Sequence, residues 1–153
     1  MIVVSDTSPI TALLTVGEVE LLPRLFTQVV IPEAVRHELL RTHPRLPAWL
    51  RVALLRDRRR AEAYAREVDS GEAEAIALAC EMGADRLLID ERRGRRLAAR
   101  EGVAVIGLVG VVLLARRGGL IPSARASLLR LEGEAGVYLS AEVRETALRS
   151  VGE

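Results

Sequence analysis

The chain has 153 residues, half of them apolar, a formal charge of +1 and only four aromatic side chains. That size and content suit one domain with a core of Leu, Val, Ile and Ala, and the near-neutral balance excludes binding to nucleic acid as a polycation, leaving local patches for that task. Every one of the 22 basic residues is arginine, which excludes a P-loop NTPase and Schiff-base chemistry, while the single cysteine, Cys80, excludes an internal disulfide and a thiolate zinc site.

The first element is a short β-rich run, Ile2-Val3-Val4-Ser5, which ends at Asp6. Ser8 suits a helix cap and Pro9 a first turn, so a helix is expected to about residue 16, before Gly17. Residues 18–25 read as a second short helix. Val29-Val30-Ile31 is a second strand, and Pro32 opens a helix to about residue 42. A weak strand signal covers residues 52–55, and residues 58–68 look helical. Ser70 caps the next helix, 71–82, which ends at Gly83. An apolar strand at 86–89 stops at Asp90, and a charged helix at 92–100 follows. Residues 103–106 form the last strand. Helices at 108–117, 123–131 and 141–151 complete the chain.

Strands that are apolar throughout and alternate with helices predict an α/β fold of three layers: a central, mostly parallel sheet of four to five strands flanked by helices, in one domain. The longest apolar run, residues 103–115, is too short to span a bilayer. No basic stretch leads into an apolar one at the start. A cytoplasmic protein without membrane contact is the expectation. Four aromatics also argue against base-stacking platforms.

In parallel sheets, sites form at the carboxyl ends of strands. Two strands here run directly into aspartate, at Asp6 and Asp90. Glu38 lies on the helix after Pro32, beside the apolar stripe of Val35 and Leu39. Glu72 lies in a first helical turn, where the helix dipole alone is reason enough for a carboxylate. Asp6 alone could equally cap the next helix. Taken singly, none of these acids declares a function.

Four segments carry a resemblance to a known family. Val3-Val4-Ser5-Asp6-Thr7-Ser8 is similar to the first strand and first acid of the PIN domain. Ile31-Pro32-Glu33-Ala34-Val35-Arg36-His37-Glu38-Leu39 resembles its second acidic segment. Gly71-Glu72-Ala73-Glu74-Ala75-Ile76-Ala77-Leu78-Ala79 resembles the third, and Leu87-Leu88-Ile89-Asp90-Glu91 the fourth. Gly94-Arg95 and the stretch from Gly107 to Ile121 resemble a toxin-like bacterial and archaeal subgroup. Many PIN nucleases carry aspartate at the third position, where this chain has Glu72; Asp69 is a rival for that place.

The resemblance implies that Asp6, Glu38, Glu72 and Asp90 converge as catalytic residues and as ligands of Mg²⁺ or Mn²⁺, the ions that suit an all-oxygen site. It implies an endoribonuclease with an RNA substrate, a small antitoxin partner and a homodimer. Val109, Val112 and Leu113 would offer apolar surface for pairing. Ser8, Arg92 and Arg95 are the expected phosphate contacts. Arg93 and Arg96 belong to the same cluster, and the run from Arg56 to Arg60 reads as surface. A rival reading is a catalytically silent module that binds nucleic acid or protein. His37-Glu38 does not begin a zinc-protease motif, because the required second histidine is replaced by Arg41.

Overall fold

Successive side chains of a strand point to opposite faces of a sheet. Strands that are apolar at every inner position therefore need cover on both sides. The computed structural model describes residues 1–153 and supplies that cover. In chain order the elements are β1 (Ile2–Ser5), α1 (Thr7–Thr15), α2 (Leu21–Leu25), β2 (Gln28–Ile31), α3 (Glu33–Leu40), β3 (Leu50–Val52) and α4 (Arg58–Tyr64). Then come α5 (Ser70–Met82), β4 (Arg86–Leu88), α6 (Arg92–Arg100), β5 (Val105–Ile106), α7 (Leu108–Arg117), α8 (Ala124–Ala135) and α9 (Ala141–Ser150).

The five strands are all parallel, in the order β3-β2-β1-β4-β5. Alternation splits them between two cores. Val3, Val29, Ile31 and Leu88 enter one, with residues from α1, α2, α7, α8 and α9. Val4, Val30, Leu87 and Ile89 enter the other, against α4, α5 and α6. These eight side chains, seven in strands and Ile89 just past β4, are at most 2% exposed, and each such burial contributes about 1.5–3 kcal/mol. The expected three-layer α/β architecture is present. No helix is long and apolar enough to cross a membrane.

Several local expectations shift. The third strand lies at Leu50–Val52, earlier than residues 52–55, because Leu50 pairs with Val29 and Val52 with Ile31; Leu54 is left 74% exposed. Asp6 is the N-cap residue of α1, which places Ser8 inside the first turn. Asp69, not Ser70, caps α5, its carboxylate accepting from the Glu72 amide at 2.8 Å. Val112 is fully buried, and Val109 and Leu113 are half-buried against the same core. The apolar surface on α7 is thus smaller than its sequence suggests.

The chain builds outward from β1 through β2 to β3, then returns to the other side of β1 for β4 and β5. Such a reversal opens a crevice at the carboxyl ends of the strands on either side of it. Here those strands are β1 and β4, and they lead into Asp6 and Asp90.

Candidate active site

Ser5 pairs with Leu88, and the Asp6 amide donates to the Leu88 carbonyl at 2.9 Å. The two strand ends are thereby fixed side by side. A groove of about 1590 Å³ opens over them. It is lined by Asp6, Glu38, Glu72 and Asp90, and equally by Ser8, Arg92 and Arg95. All the acids and phosphate contacts expected from the sequence therefore share one groove. Asp69, Glu91 and Arg96 line it too. Glu74 turns away, accepting from the Ala34 amide and from Arg58.

Each acid has a distinct setting. Asp6 is 5% exposed. Its carboxylate approaches the Thr7 amide without capping the helix. Burial pushes its pKa up to about 7; the charges of Asp69, Glu38 and Asp90 add to the rise, and the Thr7 amide opposes it. Glu38 is half-buried, because Val35 and Leu39 pin α3 to the core. Its Oε2 accepts from the Thr7 hydroxyl at 2.5 Å.

Glu72 is 7% exposed, and its Oε2 is buried without a hydrogen-bond partner. Burial first, and then the neighbouring Asp69 carboxyl, push its pKa up to about 8. Asp90 is open to the groove, yet loss of hydration among its neighbours still raises its pKa. The Leu108 amide, 3.2 and 3.4 Å from the two oxygens, and the charge of Arg95 oppose that rise. Carboxyls held above their ordinary range in a shared cleft mark a candidate site.

A family profile described as a PIN domain matches residues 2–153. The chain belongs to the PIN-domain family. PIN domains are generally nucleases, so the groove belongs to a family of nucleic-acid hydrolases that typically use divalent metals. No curated protein matches the sequence.

In this PIN domain three of the acids lie directly over glycines. A Cβ on Gly71 would fall 2.5 Å from Glu38 Oε1, one on Gly94 2.7 Å from Glu72 Oε2, and one on Gly107 2.6 Å from Asp90 Oδ1. Real Cβ atoms do not approach oxygens so closely. Any side chain at these positions would have to displace a carboxylate or the backbone that bears it.

The donor set of the PIN groove is all oxygen, as hard divalent cations require. The orphaned Glu72 Oε2, buried where an unpaired polar atom is costly, is an oxygen that such a cation would satisfy. The side chains nevertheless stand apart: no three of them are placed to enclose an ion. Three of the acids lean on a protein donor instead: Glu38 on Thr7, Asp90 on Leu108, Asp69 on the Glu72 amide. Between Asp69 and Glu72, the rivals for the third position, Asp69 is engaged as a cap. Glu72 alone has an uncommitted buried oxygen.

Among the cations, Arg95 is half-buried and donates from Nη1 to the Ile89 carbonyl at 2.8 Å. Arg92 and Arg96 are exposed and enter no ion pair. Ser8 is exposed at the groove. Three contributors escape a reading of the sequence. Thr7 holds Glu38 across 31 residues, the glycines clear room for the acids, and the connection between α8 and α9 also lines the groove. For the glycines, the only sequence signal is that each stands in or beside a segment resembling the family.

Proposed function

We propose that this PIN domain is an Mg²⁺- or Mn²⁺-dependent endoribonuclease and the toxin-like member of a two-component pair. The observation that carries the reading is the meeting of Asp6, Glu38, Glu72 and Asp90, from four separate parts of the chain, in one groove with arginines on its wall. Asp6 and Asp90 are the core ligands, and Glu38 and Glu72 complete the set. A divalent ion bound there supplies an activated water and offsets charge at the phosphate and leaving oxygen.

The protein groups have their own tasks. One of the two glutamates, Glu38, held by Thr7, or Glu72, orients the attacking water in this reading. Arg92 and Arg96 are free to pair with phosphates, and Arg95, although tied to Ile89 through Nη1, keeps its other nitrogens for the same use. Ser8 offers a hydroxyl to a phosphate oxygen. A homodimer belongs to this reading, with the half-buried Val109 and Leu113 as candidate contacts. So does a small inhibitory protein that places an arginine among the carboxylates. Such a partner would bind less tightly as Mg²⁺ rises, since both need the same oxygens.

The test is cleavage of labelled single-stranded and hairpin RNA by purified protein, with Mg²⁺, with Mn²⁺ and with chelator, alongside Asp6→Asn. Metal-dependent cutting that the variant loses supports the reading. Binding without cutting, whichever metal is present, would instead favour the silent module. Co-purification from the native source and the effect of overexpression on growth test the two-component role.

A further inference from the structure

Beyond the acids, the groove is lined by the connection between α8 and α9, including Gly136, Val137, Tyr138, Leu139 and Ser140. Gly136 turns the chain with φ 67°, and the Ser140 side chain caps α9. Between them Tyr138 is held out, 87% exposed, the highest exposure among the large hydrophobic side chains. The other aromatics are engaged. Phe26 is buried, Tyr64 is buried and donates to Glu101, and Trp49 packs on the core and donates to Glu20. One aromatic ring alone is left to face the groove.

Two more observations say what fits there. The groove, at about 1590 Å³, exceeds the roughly 300–1,000 Å³ of small-molecule pockets and suits a polymer. On α6, Arg92, Arg96 and Ala99 follow one another at helical spacing along its wall. The two arginines have no acidic partner in the protein, which suits a polyanion. Val137, half-buried, and Val143, 47% exposed, also line this part of the groove and give it apolar character.

We propose that Tyr138 is a stacking platform for an unpaired base of single-stranded nucleic acid whose phosphates run along Arg92 and Arg96. The proposal rests on the nuclease reading above and adds to it a base subsite. A ring face accepts any base, so the subsite selects unpaired over paired strands rather than one sequence. The scarcity of aromatics in the chain argues against an array of platforms, but a single one needs only one ring in the right place.

The test is fluorescence anisotropy with a labelled single-stranded oligoribonucleotide in calcium-containing buffer, the probe checked for integrity afterwards. Tyr138→Ala is expected to weaken binding roughly 5- to 150-fold, the range of one base–aromatic stack, while Tyr138→Phe binds like the parent. A probe with abasic positions should bind the parent as weakly as Tyr138→Ala binds the intact probe, with no further loss in that variant. Unchanged affinity in Tyr138→Ala, or an equal loss on the abasic probe, overturns the proposal and leaves the nuclease reading intact. A parent that binds no oligonucleotide overturns both. Sedimentation of the same samples adds one more outcome: if Tyr138→Ala splits a dimer without changing RNA affinity, the ring belongs to a protein interface and the proposal falls.

Discussion

The hydroxyl of Thr7 donates to Oε2 of Glu38 at 2.5 Å, tying the second acid to the residue that follows the first. A hydrogen bond to a charged group contributes about 1.5–3 kcal/mol. Thr7→Val keeps the shape of the side chain and removes the donor. The expected outcome is a fall in kcat/KM of about ten-fold or more, with a change of only a few degrees in Tm. Equal activity in the variant would show that Glu38 needs no such hold.

Asp6→Asn should separate stability from activity in opposite directions. Burial holds Asp6 near pKa 7, so at pH 8 the folded protein carries a charge that its surroundings disfavour. The amide relieves that penalty. In chelator at about pH 8 the variant should be more stable than the parent by about 1–3 kcal/mol, read from denaturant unfolding. The same variant should cut RNA at least ~100-fold more slowly. A destabilised, inactive variant would mean that Asp6 is structural.

The same shifts give a pH dependence. Asp6 and Glu72 titrate near 7 and 8 in the folded protein, against about 4 when unfolded. The folded state therefore binds protons that the unfolded state has released. The associated stability is full near pH 4 and is lost as pH rises through 7 and 8. In chelator, Tm should be higher at about pH 5.5 than at about pH 8.5. Excess Mn²⁺ should shrink or reverse that difference, because ligation favours the ionised carboxylates. A flat profile in chelator would contradict the assigned burial.

Gly94→Ala reverses an ordinary rule. Alanine in place of glycine inside a helix usually stabilises by about 1 kcal/mol. Here the added methyl would meet Ile89 Cδ1 at 2.5 Å and Glu72 Oε2 at 2.7 Å. Overpacking of this kind costs about 1–3 kcal/mol. The variant should unfold earlier and bind Mn²⁺ more weakly by calorimetry. A more stable variant with unchanged Mn²⁺ affinity would show that α6 yields without disturbing Glu72.

Asp6 and Asp90 were legible because a continuously apolar strand that stops at an acid marks the carboxyl edge of a parallel sheet. Glu38 and Glu72 were not legible from periodicity, since a surface helix position and a helix-dipole position carry acids for ordinary reasons. Only their resemblance to family segments singled them out. Asp69 and Ser70 are both good caps, and the choice between them depends on where the backbone enters the helix, at φ −70° and ψ 168° for Asp69. The third strand was misplaced because its register is set by pairing with Val29 and Ile31, not by its own short apolar signal. Thr7 and Tyr138 lay beyond reach for a related reason. A partner 31 residues away and the exposure of one loop ring are properties of the packed molecule.

The pairing of β1 with β4 also has a consequence in time. Ile2 and Asp85, joined by a hydrogen bond beside that pairing, are 83 residues apart in the chain. Contacts so distant in sequence close a long loop and form slowly. During synthesis Asp90 follows its companion Asp6 only after a further 84 residues have been made, the difference between positions 90 and 6. Any fragment that ends before β4 has an unpaired strand edge and an incomplete set of acids. The appearance of cutting activity in a refolding sample should then report closure of this one strand pair, lagging the recovery of helix.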